Sequence, residues 1–129
     1  MPDRSAYDWA IVRVVPRVER GEYLNAGVIV HCRAKSYLAA RVECAHPRLQ
    51  ALWPDLDLES LEEHLASIPL ICKGGKESGP IGLLPMTDRF HWLVAPRSTI
   101  VQVSPVHAGL CEDPEVALEG LFAKYVRNP

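Results

Sequence analysis

Two β-branched runs, YDWAIVRVV at residues 7–15 and LNAGVIVHCR at residues 24–33, stand only eight residues apart. Branched and aromatic side chains favour a pleated, extended backbone. Strands joined by so short a link pair antiparallel, because a parallel crossover needs a dozen residues or more. Pro16 closes the first run by withholding an amide. The second run is too continuously apolar to be half-exposed, which predicts a central strand. A third stretch, YLAARVEC at residues 37–44, alternates Leu38, Ala40, Val42 and Cys44 against Tyr37, Ala39, Arg41 and Glu43, predicting one buried face. Only Ala34-Lys35-Ser36 separates it from the second strand, so a second hairpin is expected.

After Pro47 the pattern turns helical. Residues 48–53 are expected to make a turn or two of helix. Asp57 is placed to cap a helix whose Leu58, Leu61, Leu65 and Ile68 recur at helical spacing, with Glu59, Glu62 and Glu63 on the other side. Pro69 is expected to limit that helix. KGGKESGPIGLLP, residues 73–85, reads as a surface loop. TDRFHWLV, residues 87–94, reads as a short helix capped by Thr87, although Phe90, Trp92 and Val94 alternate as a strand would. TIVQV at 99–103 reads as a strand. Asp113-Pro114-Glu115 opens a last helix with its stripe at Leu118, Leu121, Phe122 and Tyr125. The fold class expected is α+β: a two-layer domain with a mainly antiparallel sheet of about four strands, packed with two to four helices. The 129 residues are expected to form a single domain, residues 1–129.

No apolar stretch approaches the ~20 residues that span a bilayer, and the start MPDRSAYDWA has no signal-peptide core, so a cytoplasmic protein is expected. Cys32, Cys44, Cys72 and Cys111 form no CxxC pair and read as buried reduced thiols. The net charge of −2 is unevenly spread: residues 1–48 carry eight Arg/Lys against five Asp/Glu, and residues 49–69 carry five acids and no Arg or Lys. Ten arginines against four lysines favour bidentate pairing with carboxylate or phosphate. The pI near 6.2 argues against a general nucleic-acid binder.

Charge concentrates between the first two strands. Arg13 shares a strand face with Trp9, Ile11 and Val15, and falls opposite about Ala26 and Gly27 if the link is a hairpin. A charge held there needs a partner, because an unpaired buried charge costs several kcal/mol. Either Glu22, Glu43 or the acidic helix supplies it, or an anionic ligand does. Arg17 and Arg20 flank Glu19, with Glu22 following, as in a solvated turn whose charges answer one another. Asn25 intrudes on an apolar strand, so its amide is expected to bond loop backbone. Gly27 inside a strand signals a bulge or a close backbone approach. A second polar concentration, RSTIVQVSPVHAG at 97–109, offers Arg97, Ser98 and His107, the last read as a loop histidine.

Other constellations fail on spacing. KGGKESG resembles a phosphate loop, yet Lys76 is followed by Glu77 and Pro80 blocks the helix that should follow. His31 and Cys32 lie six residues along the strands from Cys44, ~20 Å at ~3.3 Å per residue, too far to share an ion with Cys44 and His46. Asp55, Asp57, Glu59, Glu62 and Glu63 lack the EF-hand pattern. No metal, cofactor or catalytic residue is therefore expected.

YDWAIVRVVPRVERGEYLNAGVIV, followed by GPIGLLP, RFHWLVAPRSTIVQVSPVHAGLCEDP and a closing helix, resembles a bacterial family of uncharacterised proteins, the domain-of-unknown-function family 3037. The likeness runs from about Tyr7 to Val126. It transfers no reaction and no catalytic residues. It implies a gene neighbourhood shared with a HipA-like kinase, and it places Arg13, Pro16, Arg17, Glu19, Asn25, Gly27, Arg97, Ser98 and His107 on the family pattern.

Three functions compete. A non-enzymatic adaptor or regulatory module would bind another protein, a HipA-like kinase being the partner implied by the resemblance. An anion binder would gather Arg13, Arg17, Arg20, Arg41 and Arg97 on nucleotide or nucleic-acid phosphate. A small hydrolase or transferase would use His107 as base, with Glu22 or Arg97 in support.

Overall fold

A computed structural model describes residues 3–97 and 99–127. Strand β1 (Ser5–Val14) runs through the middle of an antiparallel sheet. On one side it pairs with β2 (Leu24–Cys32), which pairs in turn with β3 (Tyr37–Val42). On the other side two short strands share its length. Strand β4 (Val101–Val103) lies against Val12–Val14, and β5 (His107–Cys111) lies against Ser5–Trp9. Among the described residues the sheet thus has five strands, one more than expected. Residues 107–111 lack a strand signature because the segment is short, mostly exposed and interrupted by Gly109; pairing with β1 makes it a strand.

Ser104 is the joint between β4 and β5. Its N–H donates to the Ile11 carbonyl at 2.8 Å, and its buried Oγ accepts the Ile11 N–H at 2.8 Å. One side chain therefore replaces the carbonyl that a continuous strand would have offered.

The helices α1 (His46–Leu52), α2 (Leu58–Lys73), α3 (Gly79–Gly82) and α4 (Met86–Val94) make the second layer. Leu49, Leu61, Leu65, Ile68, Phe90 and Leu93 pack there against Val12, Val14, Ile29 and Val101. Helix α5 (Pro114–Phe122), continued by a wider turn over Ala123–Arg127, closes the reverse face of the two-layer α+β arrangement. It sets Leu118, Phe122 and Val126 on Val28 and Val30. With both faces covered, β2 buries every residue from Ala26 to Cys32, as its apolar run requires. β3 is covered on both faces too: Leu38 joins the first core, while Tyr37 and Ala39 pack into the second.

Both aspartate caps form. The carboxylate of Asp57 accepts the Ser60 N–H at 3.1 Å, and that of Asp113 accepts the Glu115 N–H at 2.9 Å. Residues 86–94 are helical, but the helix starts after Pro85 rather than at a Thr87 cap. The Thr87 hydroxyl instead turns inward, 3.4 Å from Nε2 of His31. Pro69 does not limit α2, which continues to Lys73. A proline in a helix costs ~3 kcal/mol; burying Ile71 and Cys72 beyond it returns a comparable amount, at ~1.5–3 kcal/mol for a large side chain. Nor is 73–85 an open loop. Positive φ at Gly74, Gly75 and Gly79 folds the chain back through a turn at Lys76–Ser78 into α3. Ser78 Oγ then donates to the Leu70 carbonyl at 2.6 Å.

Candidate functional site

The hairpin expected between β1 and β2 forms, with one irregularity. Val12 faces Gly27 and Arg13 faces Asn25, so a bulge at Ala26 shifts the register. Arg13 is therefore opposite Asn25, not Ala26 and Gly27. The bulge goes with a close approach at Gly27, where an added Cβ would lie 2.7 Å from the Arg41 carbonyl oxygen and 2.8 Å from Val42 Cγ1.

Arg13 meets no carboxylate among the described residues. Its guanidinium lies over the ring of Tyr23, 4.2 Å from the centroid, and its buried Nε has no hydrogen-bond partner. The acids expected to answer it are engaged elsewhere: Glu22 pairs with Arg20 at 2.8 Å, and Glu43 with Arg127 at 3.6 Å. Asn25 does not bond its own loop. Its Nδ2 donates to the Tyr125 carbonyl at 3.0 Å, tying the hairpin to the end of the chain, while its Oδ1 is buried without a partner. On the same sheet face Trp9 stacks on Tyr125 (5.4 Å between centroids) and meets His107 with its ring tilted (4.6 Å). His107 is the first residue of β5, not a loop residue. Arg13, Tyr23, Asn25, Trp9, Tyr125 and His107 thus line one face in succession. Sequence assigns Trp9 and Tyr125 only to packing faces and gives Tyr23 no role. The alternation of Trp9 with Arg13 along β1 was the available signal.

The two motif-bearing segments meet through their backbones: the Val15 N–H donates to the Ile100 carbonyl at 2.6 Å. Pro16, Arg17 and Ile100 border a cleft of about 330 Å³ with Trp53, Asp55 and Asp57. The arginines themselves do not converge. Arg97 turns onto the Trp92 ring, 4.2 Å from its centroid, and donates to the carbonyls of Trp92 and Leu93 at the end of α4. Arg41 pairs with Glu119 of α5 and covers Phe122. Ser98 lies outside the described residues. No hydrogen bond or ion pair among the described residues joins His107 to Glu22 or Arg97.

Beyond β5 the surface is open. Its outer edge pairs with no strand among the described residues. Leu110 is 66% exposed and Val116 67%. Together with Arg4, Tyr7, Glu112 and Asp113 they line a concavity of about 570 Å³.

The four thiols are free; Cys32 and Cys72 are buried as expected, whereas Cys44 and Cys111 are only half-buried. Burial pushes Cys72 up to about 12, with Arg89 pulling weakly the other way. Burial also raises Cys44, and the neighbouring Glu62 carboxylate adds to the effect. Cys44, His46 and Glu62 bring one ligand atom each to within 4.8 Å of one another. Cys32 remains apart from them, since it faces Tyr37 at the other end of β3. Sequence sets Cys44 and His46 beside His31 and Cys32 as candidate ligands, and nothing in it links Glu62, on a helix, to them.

An antiparallel sheet with a helical layer and a charge-rich hairpin tied to Tyr125 defines a small α+β class of protein. The chain belongs to the family described as "Protein of unknown function (DUF3037)", whose model matches residues 9–126. No curated protein and no solved structure matches it. No helix among the described residues is long and apolar enough to cross a membrane.

Proposed function

We propose that the chain is a non-enzymatic adaptor or regulatory module that docks another protein along the outer edge of β5. The observation that carries this reading is the unpaired edge beside two exposed apolar residues, Leu110 and Val116, on one concave surface. An open edge offers N–H and C=O groups to a visiting strand, and adjacent apolar side chains supply the pocket that selects it. A HipA-like kinase in a bacterial cytoplasm, the partner implied by the family resemblance, is the first to test. Co-expressed kinase is expected to co-purify with the wild-type chain, and Leu110→Lys to weaken the complex about tenfold or more. Undiminished binding by Leu110→Lys and Val116→Lys together would overturn the reading.

A second reading, an anion site, is favoured by one observation: Arg13 Nε and Asn25 Oδ1 lie on facing residues without partners. Phosphate would then raise the thermal midpoint of the wild type and leave Arg13→Met unmoved. An equal response of both proteins removes this reading. The spread of Arg41 and Arg97 onto Glu119 and the end of α4 counts against a larger arginine cluster. A hydrolytic role for His107 has only Trp9 stacking to support it, which positions a ring but supplies no acid or base partner.

A further inference from the structure

The connection from β3 to α1 brings together three side chains with no part in the sites above. The His46 N–H donates to the Cys44 carbonyl at 3.0 Å, a tight turn that sets Cys44 and His46 against α2. Strand alternation sends Glu43 the other way, to Arg127. From the second turn of α2, Glu62 reaches back, with Oε1 2.8 Å from His46 Nε2. An ordinary His–Glu ion pair would align an N–H with the carboxylate. Here Nε2 is closed off from solvent, yet it satisfies no hydrogen-bond geometry. The thiol completes a triangle whose ligand atoms all lie within 4.8 Å.

We propose that Cys44, His46 and Glu62 form a binding site for a divalent ion of the zinc type. Ligand atoms in a tetrahedral zinc site stand roughly 3.5 Å apart, given bonds of ~2.0–2.3 Å. The 2.8 Å between His46 Nε2 and Glu62 Oε1 is shorter than that, and all three ligand atoms lie within 4.8 Å of one another, so modest side-chain rotations would bring them onto one ion. Sulfur with imidazole selects a borderline-soft metal over Mg²⁺ or Ca²⁺. A neutral imidazole, a thiolate and a carboxylate together balance the ion's charge. Residues 49–69, which carry Glu62, contain no lysine or arginine to compete for that carboxylate. Three protein ligands would leave a fourth position for water or a group from a partner, and Glu62, the exposed member of the three, leaves the site accessible. This site is independent of the β5 edge and stands or falls separately.

Cobalt(II) titrated into chelator-treated protein is the direct test. The expected result is one ion per chain, with a thiolate-to-cobalt charge-transfer band that zinc bleaches by displacement. Cys44→Ser should abolish the band. His46→Ala and Glu62→Gln should each weaken binding about tenfold or more. Cys111→Ser, on β5, should retain it. Should Cys44→Ser fail to fold, the wild type supplies the second measurement: zinc should slow alkylation of Cys44, mapped by mass spectrometry, without protecting Cys111. Cobalt bound without the band, a band surviving in Cys44→Ser, or alkylation of Cys44 indifferent to zinc would each overturn the site.

Discussion

Arg13 rests on the face of Tyr23, 4.2 Å from the ring centroid, and no described carboxylate answers its charge. The aromatic face stabilises a guanidinium by ~0.5–2 kcal/mol, more when water is excluded. Tyr23→Leu is therefore expected to lower the stability measured by urea unfolding by about 1 kcal/mol. Arg13→Met keeps the apolar stem and removes a buried Nε that lacks a partner, so it should leave stability unchanged or raise it slightly. A loss above about 2 kcal/mol in Arg13→Met would show that the guanidinium has a stronger anchor than Tyr23.

Gly27 has no room for a methyl group. Its added Cβ would meet the Arg41 carbonyl and Val42, backbone and branched side chain that cannot swing aside. Gly27→Ala should cost about 1–3 kcal/mol as β2 and β3 are pushed apart. Equal urea midpoints for variant and wild type would contradict this packing.

Ser104 carries a hydrogen bond that no neighbour can replace. Ser104→Ala leaves the Ile11 N–H, buried in the centre of β1, without an acceptor. The expected loss is about 1–3 kcal/mol. Hydrogen exchange at the Ile11 amide should accelerate in the variant, and an unchanged rate would mean the amide has another acceptor.

His31 gives the protein a pH dependence. It is buried against Phe90, with ring centroids 4.6 Å apart. Burial holds its imidazole below the ordinary 6.5; Asp8 pulls upward, while His91 and Arg33 reinforce the depression. A base with a lowered folded pKa takes its proton more readily in the unfolded chain. Its stabilising effect is whole above about pH 6.5 and is lost as pH falls through the folded value. The urea midpoint should therefore drop between about pH 8 and about pH 5 in the wild type, and drop less in His31→Phe. Parallel curves would show that His31 becomes charged in place.

Much of this architecture is legible in the residues. The spacing of Leu61, Leu65 and Ile68 places α2, Asp57 and Asp113 announce the helix starts, and the apolar continuity of 24–33 marks the sheet's centre. These signals are local and strong. Long-range compensation is not local: Pro69 stays helical because Ile71 and Cys72 are buried beyond it, and β5 is a strand because β1 pairs with it. The site is less legible for the same reason. Gly27 signals the bulge and the close approach that form there, but sequence does not say which residue is skipped, so it sets Arg13 opposite Ala26 and Gly27 where the shift at Ala26 brings it opposite Asn25. It cannot place Tyr125 beneath Asn25 from a hundred residues away. Glu62 meets Cys44 and His46 only because α2 packs across β3.

The break at Ser104 and Pro105 gives the open side of the sheet a ruler. A visiting segment laid beside β5 would run along five residues, His107 to Cys111, a lane of about 17 Å in which alternate residues turn their amides and carbonyls outward. Proline offers no amide past that point, and the chain steps inward to meet Ile11. Whatever zips along this border reaches a fixed terminus, so the length of the added strand is set by the fold itself.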